Sequence, residues 1–218
     1  CTLRETPSGE WDVSFSCEVD TSPLPKSDKR VSIDLGIENF AALHNGEMIE
    51  NPRFFKKSEK VLAKAQRKLS KAKKRTVERR KAGKVVSKIH ERIRNQRKNF
   101  CHQESRKIID RYQEIRIEDL KIKKMIEGSY YAKSITDASW NQFRQYLIYK
   151  AEEAGRRVGL VDPAYTTQRC SKCGYIEKKA ISQRMHICKN CGYTTHRDTN
   201  SAEDIHSIPH DSPRIRWL

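Results

Sequence analysis

Two pairs of cysteines form the most specific chemical pattern in the chain. Cys170-Ser171-Lys172-Cys173 and Cys188-Lys189-Asn190-Cys191 are separated by 14 residues. Two CxxC pairs supply four thiolates that can close a tetrahedron, and zinc is the metal that suits four sulfurs. The intervening stretch is one residue short of the about 15–20 usual for this arrangement. Gly174-Tyr175 and Gly192-Tyr193 follow the two pairs, and glycine lets the backbone turn tightly there. Four protein ligands leave no open position, so this Zn2+ is predicted to be structural. His186 and His196 lie nearby but are not needed as ligands. A pair of disulfides is the competing reading. Tight pairing within an odd total of seven cysteines favours metal in a reducing compartment. Cys1, Cys17 and Cys101 are read as structural or incidental thiols.

Three acids form a second, weaker constellation. Asp34 sits in Val31-Ser32-Ile33-Asp34-Leu35-Gly36, an alternating strand pattern that points Ile33 and Leu35 into a core and Asp34 the other way. An acid inside an apolar strand is costly unless paired or bound to metal, and Gly36 leaves room on the same face. Glu118, in Ile115-Arg116-Ile117-Glu118, faces away from its isoleucines by the same parity, whereas Asp119 points back and reads as structural. Asp198 stands at the start of a helix, where a simple cap is a real competitor. Together, two acids from strands and one from a helix start can hold two Mg2+ ions about 3.5–4 Å apart. Such a pair activates a water and stabilises a leaving 3′ oxygen, giving phosphodiester cleavage. His196-Arg197-Asp198 is similar to a kinase catalytic loop, but the glycine-rich loop, Asp-Phe-Gly and lysine strand are missing.

The elements that must position these groups are legible in outline. Residues 2–20 read as the tail of something larger, with Trp11, Val13, Phe15 and Cys17 alternating as in a half-buried strand, and residues 21–28 read as a linker. Three antiparallel strands are predicted in 31–50, with Asn45-Gly46 as a turn. In 53–113, Phe55, Leu62 and Leu69 and then Val86, Ile89, Ile93, Gln96 and Phe100 mark the seam of two long antiparallel helices, with Gly83 between the two runs. A strand over 114–120, a polar loop over 121–137, a helix over 138–154 closed by Gly155 and a strand over 157–161 follow. The cysteines occupy 164–195, a last helix starts near Asp198, and 209–218 reads as a frayed tail.

Charge points to the partner. The 218 residues carry a net +17, and a chain this basic usually meets nucleic acid. Lys64, Arg67, Lys68, Lys71, Lys74, Arg75, Arg79 and Arg80 line the helical hairpin with few acids to balance them. Like charges along a helix cost stability, so a phosphate-binding stripe is the better reading than a solvated face. Hydrophobic residues make up 36% of the chain, low for one compact globule. No apolar run is long enough to span a bilayer, and a cytoplasmic location is expected. The chain opens at Cys1, which suggests a fragment.

Several of these stretches together resemble the TnpB, or OrfB-type, proteins of insertion sequences, relatives of type V CRISPR effectors. The shared pieces are Asp34-Leu35-Gly36, Ile117-Glu118-Asp119-Leu120, Asp137-Ala138-Ser139-Trp140, the run from Val161 to Cys170, both cysteine pairs and Arg197-Asp198-Thr199-Asn200-Ser201-Ala202. The resemblance covers about residues 31–206. It implies an α/β, RNase H-like (RuvC) fold with an inserted basic helical hairpin and an inserted four-cysteine zinc ribbon. The implied domains are a RuvC-like body over 29–163 with the hairpin at 53–113, a ribbon over 164–195 and a last helix over 196–208. Residues 1–28 would end a missing N-terminal β domain. It further implies that Asp34, Glu118 and Asp198 are the catalytic, Mg2+-binding acids (Mn2+ being a substitute), that loop 121–137 is a lid, and that Arg197 steadies a phosphate. The implied partners are target DNA and a guide RNA transcribed from the transposon end. The expected function is an RNA-guided DNA endonuclease; the alternative is a non-cleaving nucleic-acid-binding regulator or a truncated transposon remnant.

Overall fold

The computed structural model describes residues 1–19, 22–180 and 182–218. In chain order the elements are β1 (Thr2–Glu5), β2 (Trp11–Ser14), β3 (Arg30–Leu35), β4 (Asn39–Leu43), β5 (Met48–Glu50), α1 (Phe54–Lys71), α2 (Val77–Arg111), β6 (Glu114–Glu118), α3 (Ile122–Ile126), α4 (Ala132–Ala138), α5 (Trp140–Glu153), β7 (Arg157–Val161), β8 (Met185–Ile187), β9 (Thr194–His196), α6 (Arg197–Ser207) and β10 (Ile215–Trp217). They form two units: residues 1–21 with 53–100, and residues 22–52 with 101–218.

The first unit holds the antiparallel β1–β2 hairpin and the two basic helices. The strand expected through Cys17 stops at Ser14, and Trp11, Val13 and Phe15 are exposed, not half-buried. The predicted seam is real but narrow: Leu62, Ala82 and Ile93 are buried, while Val61, Val77 and Val85 remain exposed. Phe54 and Phe100 meet edge to face at 6.2 Å. The turn between the helices lies at 72–76, not at Gly83, which sits inside α2. Local chemistry decides this. Thr76 accepts the Arg79 amide through Oγ1 at 3.3 Å, an N-cap for α2. The Arg79 guanidinium donates to the Leu69 and Ala72 carbonyls at 3.0 Å, closing the end of α1. Arg75 takes up the left-handed turn at φ 65°. A Cβ on Gly83 would lie 3.9 Å from Leu69, an ordinary contact, so the helix runs through this position and nothing there requires glycine.

The second unit is built on a six-stranded sheet in the order β10-β7-β6-β3-β4-β5. β3, β6 and β7 run parallel, and β4, β5 and β10 are antiparallel to their neighbours. The three strands expected in 31–50 are present, and Gly46 makes their turn at φ 87°. β3 and β6 are covered on both faces: Val31, Ser32, Ile33, Ile115, Arg116 and Ile117 are all buried. α5 supplies one cover, with Trp140, Phe143, Leu147 and Ala151 inward as their spacing predicts. α6 packs on the other, against β3, β4 and β6.

Three expectations are corrected. Residues 121–137 are not a loop: α3 and α4 form there, with Ile135 and Ala138 buried. The lysines and serines of this stretch masked the helical spacing. The frayed tail is instead β10, whose Ile215 and Trp217 pair with Val161 and Gly159. Ile215 joins Val161, Ile205 and Ile208 in a core cluster, with Trp217 packed against it. A Cβ at Gly159 would come within 2.9 Å of both side chains, so glycine makes this closure possible. The linker expected over 21–28 begins at Thr21, outside the described residues. From Ser22 onward it belongs to the second unit, where Leu24 donates to the Ala154 carbonyl at 3.0 Å and Arg156 to that of Pro25 at 2.8 Å.

Candidate active site and metal centre

Asp34, Glu118 and Asp198 come from three places in the chain and meet on one face of the sheet. β3 presents Ser32 and Asp34 toward α6, with Gly36 just past its end, and β6 presents Glu114, Arg116 and Glu118 on the same side. All three acids are buried, at 7%, 4% and 5% exposure. Asp34 and Glu118 perturb each other's ionisation, and both acids feel the charge of Asp198. A Cβ on Gly36 would lie 3.5 Å from Asp198 Oδ2 and 2.9 Å from the Asn39 carbonyl. The Asn39 carbonyl is what requires glycine there, and the α6 carboxylate stands at ordinary contact distance.

Burial pushes the Asp34 carboxyl well above its usual range, and the charges of Glu118 and Asp198 add to this. Burial also raises Glu118, against a hydrogen bond from Thr166 and an interaction with Asp34 that favour its ionised form. The nearest counter-charge is Arg197, whose Nε reaches Asp198 Oδ1 at 3.3 Å. Three desolvated carboxylates beside one guanidinium retain an excess of negative charge that only protons or a cation can balance. The donor set, all hard carboxylate oxygens, suits Mg2+ or Mn2+.

Asp198 does not cap its helix. His196 is the N-cap residue of α6, and its Nδ1 accepts the Asp198 amide at 3.3 Å. Asp198 therefore lies in the first turn with its carboxylate directed elsewhere. Asp119, read as structural, pairs with Arg144 at 2.7 Å and Arg216 at 3.5 Å.

Three residues around the acids escaped the sequence reading. Arg116 is 2% exposed. It donates to Glu114 at 2.9 Å and to the carbonyls of His206 and Ile208, closing the C-terminal end of α6. Its place on the polar side of β6, in step with Glu118, was the available signal. Thr166 is 1% exposed and donates from Oγ1 to Glu118 Oε1 at 2.6 Å. Asn200, fully buried, donates to the Arg169 carbonyl at 2.7 Å and accepts the Ser171 amide at 3.0 Å. Local spacing gives no sign of either contact, because each joins segments far apart in sequence.

The four cysteines also converge. Among the described residues, Cys170, Cys173, Cys188 and Cys191 are the group of potential ligands whose donor atoms all lie within 4.8 Å of one another. Sγ–Sγ distances of 3.8 Å for Cys170–Cys191 and 3.6 Å for Cys173–Cys188 are far longer than a disulfide. They match the edge of about 3.8 Å of a tetrahedron with metal–sulfur bonds of about 2.3 Å. The two knuckles have matching backbones. Gly174 donates to Cys170 and Gly192 to Cys188, each at 2.9 Å, with φ 75° and 72°. The centre is closed on four sulfurs. His186 is buried, with Nδ1 against Lys179, and stands outside the cluster.

Of the basic residues singled out on the hairpin, Lys64, Arg67, Lys68, Lys71, Lys74, Arg75 and Arg80 are exposed. Arg79 departs from that set, since its guanidinium closes α1.

Residues 14–128 match the profile of the OrfB_IS605 family, described as a probable transposase. The chain belongs to this family. Residues 140–205 of this OrfB-family chain match a second profile, the Cas12f1-like TNB domain. The chain is 34% identical over 206 residues to a candidate RNA-guided DNA endonuclease of Streptomyces pristinaespiralis, covering 94% of this chain and 51% of that one. It is 32% identical over 219 residues to InsQ of Escherichia coli K12, a candidate RNA-guided DNA endonuclease, covering 93% and 54%. A CRISPR-associated endodeoxyribonuclease Cas12f1 of Sulfoacidibacillus thermotolerans is 38% identical over 132 residues, 58% of this chain and 30% of that one. The chain thus spans about half the length of the first two relatives. A Cas12f1 chain from a cryo-EM structure of a Cas12f1-sgRNA-target DNA complex superposes with a TM-score of 0.61 at 19% identity, over 94% of this chain and 55% of that chain. The fold is therefore shared with Cas12f1. No helix among the described residues is long and apolar enough to cross a membrane.

Proposed function

We propose that this chain is the nuclease portion of a transposon-encoded, RNA-guided DNA endonuclease. Its catalytic acids are Asp34, Glu118 and Asp198, and its reaction is hydrolysis of a DNA phosphodiester. The observation that carries this reading is the meeting of three buried acids on one sheet face, where Arg197 pairs with Asp198. Divalent cations held by these carboxylates, Mg2+ or Mn2+, would activate the attacking water and stabilise the leaving oxygen. Asp34 and Glu118, on adjacent parallel strands, fix two of the carboxylates on a rigid base. Asp198 brings the third on α6, and Arg197 orients it.

We assign the second unit to the RNase H-like (RuvC) class. Support comes from the order of its sheet, with three antiparallel strands followed by two parallel ones reached through helical crossovers. In this reading the body covers 29–163 with the hairpin at 53–113, the zinc ribbon covers 164–195 and α6 completes the body. The four cysteines hold a structural Zn2+. The exposed lysines and arginines of α1 and of the following turn grip phosphates of DNA or guide RNA, the partners that the relatives' names suggest.

The test is cleavage of single-stranded DNA by the purified chain in Mg2+ or Mn2+, with and without RNA from the transposon end. Asp34→Ala and Asp198→Ala serve as controls. Cutting that disappears in both variants while DNA affinity and zinc content persist is the expected result. Cutting that survives either substitution overturns the assignment of the acids.

A further inference from the structure

We propose that Thr166 is a positioning residue for Glu118, and that the zinc ribbon holds it in place through Asn200. The inference rests on the reading of Asp34, Glu118 and Asp198 as the cation site, and extends it to a segment with no cation ligand of its own.

The geometry forms a chain of short contacts. The strap from Pro163 to Arg169 leads out of β7 into the first zinc knuckle. Thr166 lies in its middle, is 1% exposed, and has one hydroxyl proton to give. That proton goes to Glu118 Oε1 at 2.6 Å in preference to the Pro163 carbonyl at 3.1 Å. A carboxylate so engaged has one oxygen fixed, which sets the direction in which the other faces. Tyr165 precedes it with φ 65°, a left-handed conformation that a tyrosine adopts only when its surroundings impose it. The turn is held locally, by the Gln168 and Arg169 amides donating to the Tyr165 carbonyl at 3.0 and 2.9 Å, and the far end of the strap is tied to α6. Asn200 binds the Arg169 carbonyl and the Ser171 amide, one on each side of Cys170. Glu203 accepts from Ser171 Oγ at 2.6 Å and from the Tyr193 hydroxyl at 2.8 and 2.9 Å, one contact from each knuckle. Both Asn200 and Glu203 are on α6, the helix that carries Asp198. One helix thus bears an acid of the site and grips the ribbon from which the strap to Glu118 hangs.

Thr166→Val keeps the shape and removes the donor; Thr166→Ser restores it. Mn2+ affinity is read from the electron paramagnetic resonance of free Mn2+ during titration of the zinc-loaded full chain, without nucleic acid. Wild type and Asp34→Ala are run first. If Asp34→Ala binds Mn2+ as wild type does, the acids are not the cation site and the parent reading fails. If wild type alone binds, Thr166→Val is expected to weaken Mn2+ about 10- to 100-fold, the range for removing an outer partner of a ligand. Thr166→Ser is expected to return to within about threefold of wild type, well short of that loss. Equal affinity in Thr166→Val overturns the proposal, as does a serine variant no better than valine. Cys191→Ser, which opens the zinc site, guards against a valine variant that fails to fold. It should weaken Mn2+ on its own and add little in the Thr166→Val background, since both substitutions break one path. Full additivity, or unchanged affinity in Cys191→Ser alone, overturns the link to the ribbon.

Discussion

Asp34 shows what a buried acid costs beside two other carboxylates. Burial and two neighbouring carboxylates hold its carboxyl well above the usual range, so the folded state is strained wherever it must ionise. Asp34→Asn keeps the shape and removes the charge. In buffer without divalent cations this variant should melt higher than wild type, by about 2–4 °C for each kcal/mol of repulsion relieved. Mg2+ should raise the melting point of wild type, because it binds only the folded state, and leave Asp34→Asn nearly unchanged. Thermal unfolding followed by circular dichroism checks both, and a variant that melts lower would show that Asp34 is already compensated. His206 shows the opposite sign. Burial first, then His44, stacked on it at 3.8 Å, and Arg116 hold its imidazole down to about 4. The unfolded chain takes up that proton near pH 6.5, so the contribution is whole above 6.5 and lost as pH falls toward 4. His206→Gln should flatten this acid limb, as read from urea midpoints at pH 7, 6, 5 and 4. An unchanged slope would place the acid sensitivity elsewhere.

At the scale of elements, the same residue type serves two purposes on one hairpin. Lys68 and Lys71 are exposed on α1, where like charges cost about 0.2–0.5 kcal/mol per pair, and a phosphate partner would relieve that cost. Replacing both with alanine should weaken DNA binding regardless of sequence. The slope of log affinity against log salt should become shallower by about 0.7–0.9 for each phosphate that the variant no longer neutralises. An unaltered slope would return these lysines to the solvated face. Arg79→Ala should instead lower the melting temperature, because its guanidinium closes α1. Periodicity revealed the helices, and Leu62 and Ile93 are buried as their spacing requires. It misplaced the turn, because a glycine is a weaker stop than a threonine cap followed by an arginine that reaches back across the chain. The knuckles were legible down to their glycines, since each is closed by bonds within a few residues.

For the molecule as a whole, the sequence by itself determined the parts that local chemistry settles. These are the CxxC ligand set, the alternation that buries Ile33 and Ile117 while Asp34 and Glu118 face the other way, the apolar stripe of α5, and the excess of positive charge. Family membership was legible for the same reason, since the motifs that carry it are short and contiguous. Only the tertiary structure decided which side of the sheet is covered, and by what. Parity says that Asp34 and Glu118 share a face, but not that α6 covers it, that Asp198 meets them there, or that Arg116 reaches the end of that helix from below. The strand at 215–217 was read as a loose tail because three residues carry no period. Its stability comes from pairing with Val161 and Gly159, more than 50 positions earlier. Thr166 on Glu118 and Asn200 on the first knuckle belong to the same class, spanning 48 and 31 or fewer positions. A hydrogen bond between distant segments leaves no pattern in the order of residues, because its geometry exists only once the sheet, the strap and the helix have packed.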